Sequence, residues 1–176
     1  MQALILAAGM GTRLGKYTEK IPKCMLEINE ISLVERVADS LVAAGIERLV
    51  VVAGYKSSIL SLFIMERINK LQIEIIDNPR YATTNNIYTL YLARKEMLAD
   101  DTILLESDLI FDIDLITSLC QDIHPDMAVL DKYDPEWMNG TVVKINQNKN
   151  ITSFIPKKEI EAEQIKDYYK TVNIYK

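Results

Sequence analysis

Short continuous apolar runs alternate along the chain with stretches of helical spacing. QALILA (2–7) reads as a buried strand, and ERLVVVAG (47–54), IEIID (73–77) and TILLESD (102–108) read as three more. Residues 32–44 carry apolar side chains at 33, 34, 37, 38, 41 and 42. That spacing predicts a helix with Ser32 as cap, Glu35 three residues on and Gly45 as stop. Further helices are predicted over 57–70 and 87–98, with a short one over 112–121 leading into the strand MAVLD (127–131). DNPRYATTNN (77–86) is turn chemistry. Strands that are apolar throughout, and separated by helices, predict a parallel sheet covered on both faces. After about residue 140 the pattern changes. TVVKINQNKNITSFI predicts a hairpin around a polar turn, and YYKTVNIYK (168–176) another strand. There is no internal repeat, linker or low-complexity tract. A chain of 176 residues predicts one domain, and its stop on a strand predicts that the C-terminal end is incomplete.

Composition narrows the classes. The net charge of −5 argues against a general nucleic-acid binder. No 18-residue apolar run predicts a membrane span, and MQALILAAG lacks the cationic lead-in of a signal peptide. Cys24 and Cys120 make no disulfide framework, and the single histidine, His124, with no CxxC, predicts no zinc site. A reducing, cytoplasmic setting follows as the expectation.

The chemistry concentrates after the first strand. Gly9, Gly11 and Gly15 alternate with Arg13, Lys16, Lys20 and Lys23. At the carboxyl edge of a parallel sheet such a loop is where ligands bind. Glycines admit tight turns and let amides approach an anion. Arginine forks onto phosphate oxygens, and lysine adds a point charge. A polyphosphate cradle is expected. It is not a P-loop, since Met10 and Tyr17 stand where that pattern needs glycine and Ser or Thr. Nor is it the dinucleotide fingerprint, which Leu14 breaks. Glu27 and Glu30 also fail to end a second strand as a ribose-binding acid should. Asp108 closes an apolar strand, where a carboxylate can hold Mg²⁺ against phosphates. Glu106 and Asp112 are alternatives, and Asp112 is better placed to start the next helix.

LAAGMGTRLGKYTEKIPK (6–23) resembles the signature L-A-A-G-x-G-[ST]-R…P-K of nucleoside-diphosphate-sugar pyrophosphorylases and related nucleotidyltransferases. ESDLIFD (106–112) and VVKINQNKNITSFIPK resemble that family's metal-binding and later hairpin segments. TNNIYTLYLA (84–93) and DKYDPEWMNGTVV (131–143) resemble bacterial CTP:phosphocholine cytidylyltransferases and their aminophosphonate-using relatives. The resemblance implies a single nucleotidyltransferase domain over 1–176 that lacks its C-terminal end, and with it a second acidic metal ligand. The implied fold is α/β, with a mixed, mostly parallel sheet, helices on both faces and an added β-hairpin, similar to that of GT-A glycosyltransferases.

The implied reaction transfers CMP from CTP to a small amino-alcohol phosphate, phosphocholine first, with release of pyrophosphate. Lys23 is expected on the α-phosphate and the incoming phosphate, and Arg13 on the β- and γ-phosphates. Leu6, Ala7, Ala8, Gly9, Gly11 and Thr12 are expected to line the nucleotide, with Mg²⁺ on Asp108. Tyr81, Thr84 and Asn85, beside Asn86, offer the polar and aromatic contacts a pyrimidine needs. Trp137 and Tyr133, beside Asp131, Asp134 and Glu136, offer an aromatic and acidic surface for an ammonium group. A sugar-1-phosphate nucleotidyltransferase and a non-catalytic nucleotide-binding module are the alternatives. The expected partners are CTP and the acceptor, not nucleic acid or membrane.

Overall fold

The computed structural model describes residues 1–176. The chain divides into two compact units, Met1–Pro125 with Lys176, and Asp126–Tyr175.

The first unit is built on four parallel strands. β1 (Gln2–Ala7) pairs with β4 (Arg48–Ala53) on one side and β6 (Thr102–Glu106) on the other, and β4 pairs with β5 (Gln72–Asp77). Register places Leu4 beside Val50 and Leu104, and Ile5 beside Val51 and Leu105. Both sets are apolar because both faces are covered, which is why these strands read as unbroken apolar runs. On the even-numbered face, Leu4, Val50 and Val52 meet Leu90, Ala93 and Met97. Those three come from α3 (Asn86–Leu92), the break at Ala93, and α4 (Arg94–Ala99). The odd-numbered face is equally buried at Ala3, Ile5, Leu49, Val51, Ile103 and Leu105. The remaining helices are α1 (Leu33–Ala43), α2 (Ser57–Arg67) and α5 (Asp114–Gln121), with α1 against α5 and α2 against β4 and β5. A small antiparallel pair, β2 (Glu27–Ile28) with β3 (Ile31–Ser32), precedes α1.

α1 starts as its sequence predicts. The Glu35 amide donates to Ser32 Oγ at 3.2 Å and the Ser32 amide to Glu35 Oε2 at 3.0 Å, a complete capping box. The 87–98 segment differs from expectation, since it forms two helices rather than one. Ala93, fully buried at φ −88° and ψ 8°, turns the chain between them. That break lets both short helices seat on one apolar face.

The even-numbered face also carries a polar clamp at its amino-terminal edge. Arg48 donates to Gln2 Oε1, Glu74 and Glu96, while Gln2 Nε2 donates to the Glu96 carbonyl and to Thr102 Oγ1. Gln2 is fully buried, so these bonds replace the water it loses on folding.

In the second unit, β7 (Ala128–Lys132) and β8 (Val142–Ile145) each pair antiparallel with β10 (Tyr169–Tyr175). β8 also forms the expected hairpin with β9 (Ile151–Ile155). The fold is thus mixed α/β, with a mostly parallel central sheet, covering helices and added antiparallel strands. No helix is long and apolar enough to cross a membrane.

Candidate active site

The glycine loop leaves β1 at the carboxyl edge of the sheet. Gly11 sits in the left-handed region at φ 64° and Gly15 at φ 53°, conformations that glycine adopts without strain. The amides of Gly9, Met10 and Gly11 bond to no backbone acceptor, which leaves them free to meet an anion. A Cβ on Gly9 would meet nothing within 4 Å, so the space above it is open. The outer part of the loop winds as a 3₁₀ turn over Thr12–Tyr17, with Thr12 and Arg13 exposed. Thr18 fastens it from below, for its buried hydroxyl lies 2.9 Å from the Gly11 carbonyl and 3.3 Å from that of Gly15.

A second latch comes from the end of β4. The Tyr55 amide donates to the Ala8 carbonyl at 3.0 Å and its hydroxyl to the Glu19 carbonyl at 2.9 Å. Gly54, just before it, admits no side chain. A Cβ there would stand 2.7 Å from Tyr81 Cβ and 2.8 Å from Ala8 Cβ. That close approach draws the 78–86 loop against the glycine loop. Leu6 and Ala7 are the last residues of β1, and Ala8 begins the loop.

Lys23 and Asp108, expected on the phosphates and the metal, come together here. Lys23 opens a 3₁₀ turn behind Pro22, and its Nζ lies 2.6 Å from Asp108 Oδ2. Asp108 lies two residues past β6, which ends at Glu106 rather than at 108. Glu106 is half-buried and accepts a hydrogen bond from Asn86 Nδ2 at 2.9 Å. Burial raises its pKa above the usual carboxylate value, and Asp108 adds to the rise, while Lys23, Asn86 and Arg13 oppose it. Cys24 is buried beside Lys23, and burial pushes its thiol up to about 12. Asp112, expected to cap the next helix, lies one residue before the cap position of α5, which is Ile113 with no side-chain capping bond; Asp112 Oδ1 takes the Asp114 amide at 3.1 Å.

The loop expected to line the base is organised by Asn78, which sequence reasoning passed over as turn chemistry. Asn78 is fully buried; its Nδ2 reaches Thr84 Oγ1 at 3.3 Å and Thr89 Oγ1 at 3.1 Å, and its Oδ1 takes the Arg80 amide at 3.0 Å. Thr84 also donates to the Arg80 carbonyl at 2.8 Å. Its hydroxyl therefore serves the loop itself. Asn85 holds the cap position of α3 without a side-chain capping bond and is exposed. Tyr81 meets Tyr55 edge to face at 6.1 Å. The signals for Asn78 and Gly54 were in the sequence, as the first residues past two apolar strands. Their buried contacts were not.

In the second unit, Trp137 is 71% exposed and donates from Nε1 to Asp134 Oδ2 at 3.1 Å. Asp134, not Asp131, is the carboxylate at the indole. Asp131, exposed on β7, takes the Lys132 amide at 2.7 Å. Tyr133 is half-buried, its amide on the Tyr168 carbonyl at 3.1 Å.

The chain is similar to known proteins. The model of the MobA-like NTP transferase domain matches residues 3–148. The choline-phosphate cytidylyltransferase of Streptococcus pneumoniae is 36% identical over 97 residues, which cover 55% of this chain and 41% of that protein. The CTP:phosphoglutamine cytidylyltransferase of Campylobacter jejuni is 33% identical over 138 residues, 75% of this chain and 53% of that protein. The chain thus spans about half the length of the curated relatives it matches. Among solved structures, the CTP:phosphocholine cytidylyltransferase of Streptococcus pneumoniae superposes with a TM-score of 0.78 at 21% identity, covering 99% of this chain and 69% of that one. At that identity the likeness is one of fold. With its glycine loop on the first strand and the family match running across most of its length, the chain belongs to the MobA-like NTP transferase domain family.

Proposed function

We propose that this protein is a cytidylyltransferase that moves CMP from CTP to a small amino-alcohol phosphate, phosphocholine first, and releases pyrophosphate. The observation that carries the reading is the Lys23–Asp108 pair, 2.6 Å apart, in the unit whose glycine loop offers free amides. A cation for phosphate and a carboxylate for a metal already meet there. The relatives named for choline phosphate, phosphoglutamine and 2-aminoethylphosphonate support a small phosphorylated acceptor.

The nucleophile is a phosphate oxygen, already anionic at neutral pH, so a general base is dispensable. Repulsion between two anions is what must be overcome. Positioning and charge stabilisation therefore carry the reaction. In this reading the amides of Gly9 and Gly11 and the Arg13 guanidinium hold the β- and γ-phosphates. Leu6, Ala7, Ala8 and Thr12 shape the floor and rim of the nucleotide site. Lys23 leaves Asp108 and bridges the α-phosphate and the attacking oxygen. Tyr81, Thr84 and Asn85 border the base. Trp137 and Tyr133, with Asp131 or Asp134, take the acceptor's ammonium group.

Mg²⁺ fits the donor set. Asp108 offers hard carboxylate oxygens. That suits an ion that binds one or two carboxylates and takes its other ligands from phosphates and water. When bound, it would neutralise charge on the triphosphate. The two free cysteines suit a reducing, cytoplasmic setting for the enzyme.

The test is pyrophosphate release with Mg²⁺, crossing CTP, UTP, ATP, GTP and dTTP with phosphocholine, phosphoethanolamine, 2-aminoethylphosphonate and glucose-1-phosphate. Release with CTP and one amino-alcohol or aminophosphonate acceptor is expected. Release with a sugar phosphate alone would move the protein to the pyrophosphorylase branch, and CTP binding without turnover would make it a nucleotide-binding module.

A further inference from the structure

Two carboxylates stand at the carboxyl end of β6, and their side chains do different things. Asp108 pairs with Lys23. Glu106 accepts from Asn86 Nδ2 at 2.9 Å. We propose that Glu106 is a positioning residue rather than a metal ligand: it fixes the Asn86 amide and so anchors the start of α3 for nucleotide binding. The inference rests on the nucleotidyltransferase reading of the site.

The fold explains why these two residues meet. Glu106 lies beside Leu6 in the β1–β6 register and shares a face with Leu4 and Leu104. That is the face on which α3 and α4 pack, through Leu90, Ala93 and Met97. Asn86 is the first residue of α3, so its side chain reaches the strand end that this face presents. At the opposite edge Arg48 ties Glu96 of α4 to Glu74. The two-helix layer is therefore clamped at both ends, with apolar packing between.

The chemistry of the contact sets its direction. An ionised carboxylate only accepts hydrogen bonds, so the amide must turn Nδ2 toward Glu106 and hold Oδ1 away from it. Asn86 cannot flip without losing that bond. Its neighbour Asn85 has an exposed side chain with no capping bond. The asparagine that is fixed thus orients the one that is free, and the 80–86 segment is tied to the strand that leads into Asp108. Loop and metal-binding carboxylate then hold one relative geometry, as a site that reads base and phosphates together requires.

A double-mutant cycle over Asn86→Ala and Glu106→Ala, with Glu106→Gln added, tests this. Nucleotide Kd by calorimetry with and without Mg²⁺, KM and kcat, and thermal melts are measured on each variant. The cycle uses whichever nucleoside triphosphate the wild-type protein binds. A preference for UTP would sink the cytidylyl reading and leave this test standing. Each alanine variant is expected to raise Kd and KM about tenfold, the size of a charge-assisted hydrogen bond, with kcat and the Mg²⁺ requirement little changed. The double variant should be no worse than the poorer single one. Glu106→Gln, whose Oε1 still accepts from Asn86, should recover most of the affinity. A Glu106→Gln protein as impaired as Glu106→Ala, with a raised Mg²⁺ requirement, would make Glu106 a metal ligand and overturn the proposal. So would additive effects, or melts that shift while Kd does not.

Discussion

Lys23 Nζ and Asp108 Oδ2 lie 2.6 Å apart, so each offsets the charge of the other. The group expected to bind phosphate and the group expected to bind Mg²⁺ are one contact. If Lys23 takes phosphate and Asp108 the cation, as proposed, each gives up this contact for another, and the cation's arrival is coupled to the release of the lysine. Lys23→Met should therefore do two opposite things. Turnover should fall about 10²- to 10³-fold, the effect of losing one preorganised charge. Mn²⁺ affinity without nucleotide, followed by electron paramagnetic resonance, should rise, because Asp108 is freed. Unchanged Mn²⁺ affinity would mean that Asp108 is not the metal's carboxylate. Stability should move by about 1 kcal/mol or less, since the two side chains keep 22% and 33% of their exposure and solvent screens the pair.

Gly54 and Gly9 make a contrasting pair. A Cβ at Gly54 would lie 2.7–2.9 Å from Tyr81 Cβ, Ala8 Cβ and the Ala8 carbonyl oxygen, none of them the end of a flexible chain. Gly54→Ala should cost about 1–3 kcal/mol in urea unfolding, as overpacking does, and should weaken nucleotide binding as the two loops separate. At Gly9 a Cβ meets nothing within 4 Å. Gly9→Ala should melt like the wild type yet raise the nucleotide KM, because the methyl occupies space reserved for the triphosphate. Equal KM values for Gly9→Ala and the wild type would move the phosphates elsewhere.

Much of this was legible in the sequence, for a physical reason in each case. β1 and β4 are apolar on both faces, so they announce a covered parallel sheet. Ser32 and Glu35 cap α1 through contacts three residues apart, which sequence spacing reports directly. The glycine loop is local, so its positive-φ turns at Gly11 and Gly15 are legible from the residues alone. The contacts that escaped are long-range. Glu106 and Asn86 are 20 residues apart in the chain, and Gln2 and Arg48 are 46 apart. Sheet register brings Gln2 to Arg48, and the seating of α3 against the sheet brings Asn86 to Glu106. Asn78 looked like any turn asparagine because its amino acid type is common in turns. Its role comes from complete burial, which nothing in DNPRYATTNN discloses. Ala93 was invisible as a break because alanine is the best helix former, and packing overrode that preference.

Cys24 and Cys120 should differ in reactivity. Burial raises the Cys24 thiol to about 12, so from pH 7 to pH 10 it stays protonated, and the thiolate that attacks disulfides and alkylating reagents is scarce. Cys120, only partly buried, has its thiol raised less, again by burial. Ellman's reagent at pH 8 should titrate one thiol in the native protein and two in guanidinium chloride. Rapid labelling of both in the native state would show that the layer carrying Lys23 opens readily.

Trp137 offers the most direct test of the acceptor. It is the only tryptophan, it is 71% exposed, and its Nε1 is held by Asp134 Oδ2 at 3.1 Å. That bond orients a ring whose surface is otherwise in water, an expensive use of apolar area unless something covers it. A quaternary ammonium over the ring gains about 0.5–2 kcal/mol, which corresponds to a change in KM of roughly 2- to 30-fold. Trp137→Ala should therefore raise the acceptor KM within that range while leaving the nucleotide KM and the melting temperature close to wild type. Asp134→Asn should produce a smaller rise, because the indole keeps a partner but the cation loses a charge. Phosphocholine should change the intrinsic fluorescence of the wild-type protein in a saturable way, and glycerol phosphate, which lacks the cation, should not. A flat fluorescence titration, together with an unchanged acceptor KM in Trp137→Ala, would remove Trp137 from the acceptor site and return it to the role of a surface indole tied down by Asp134.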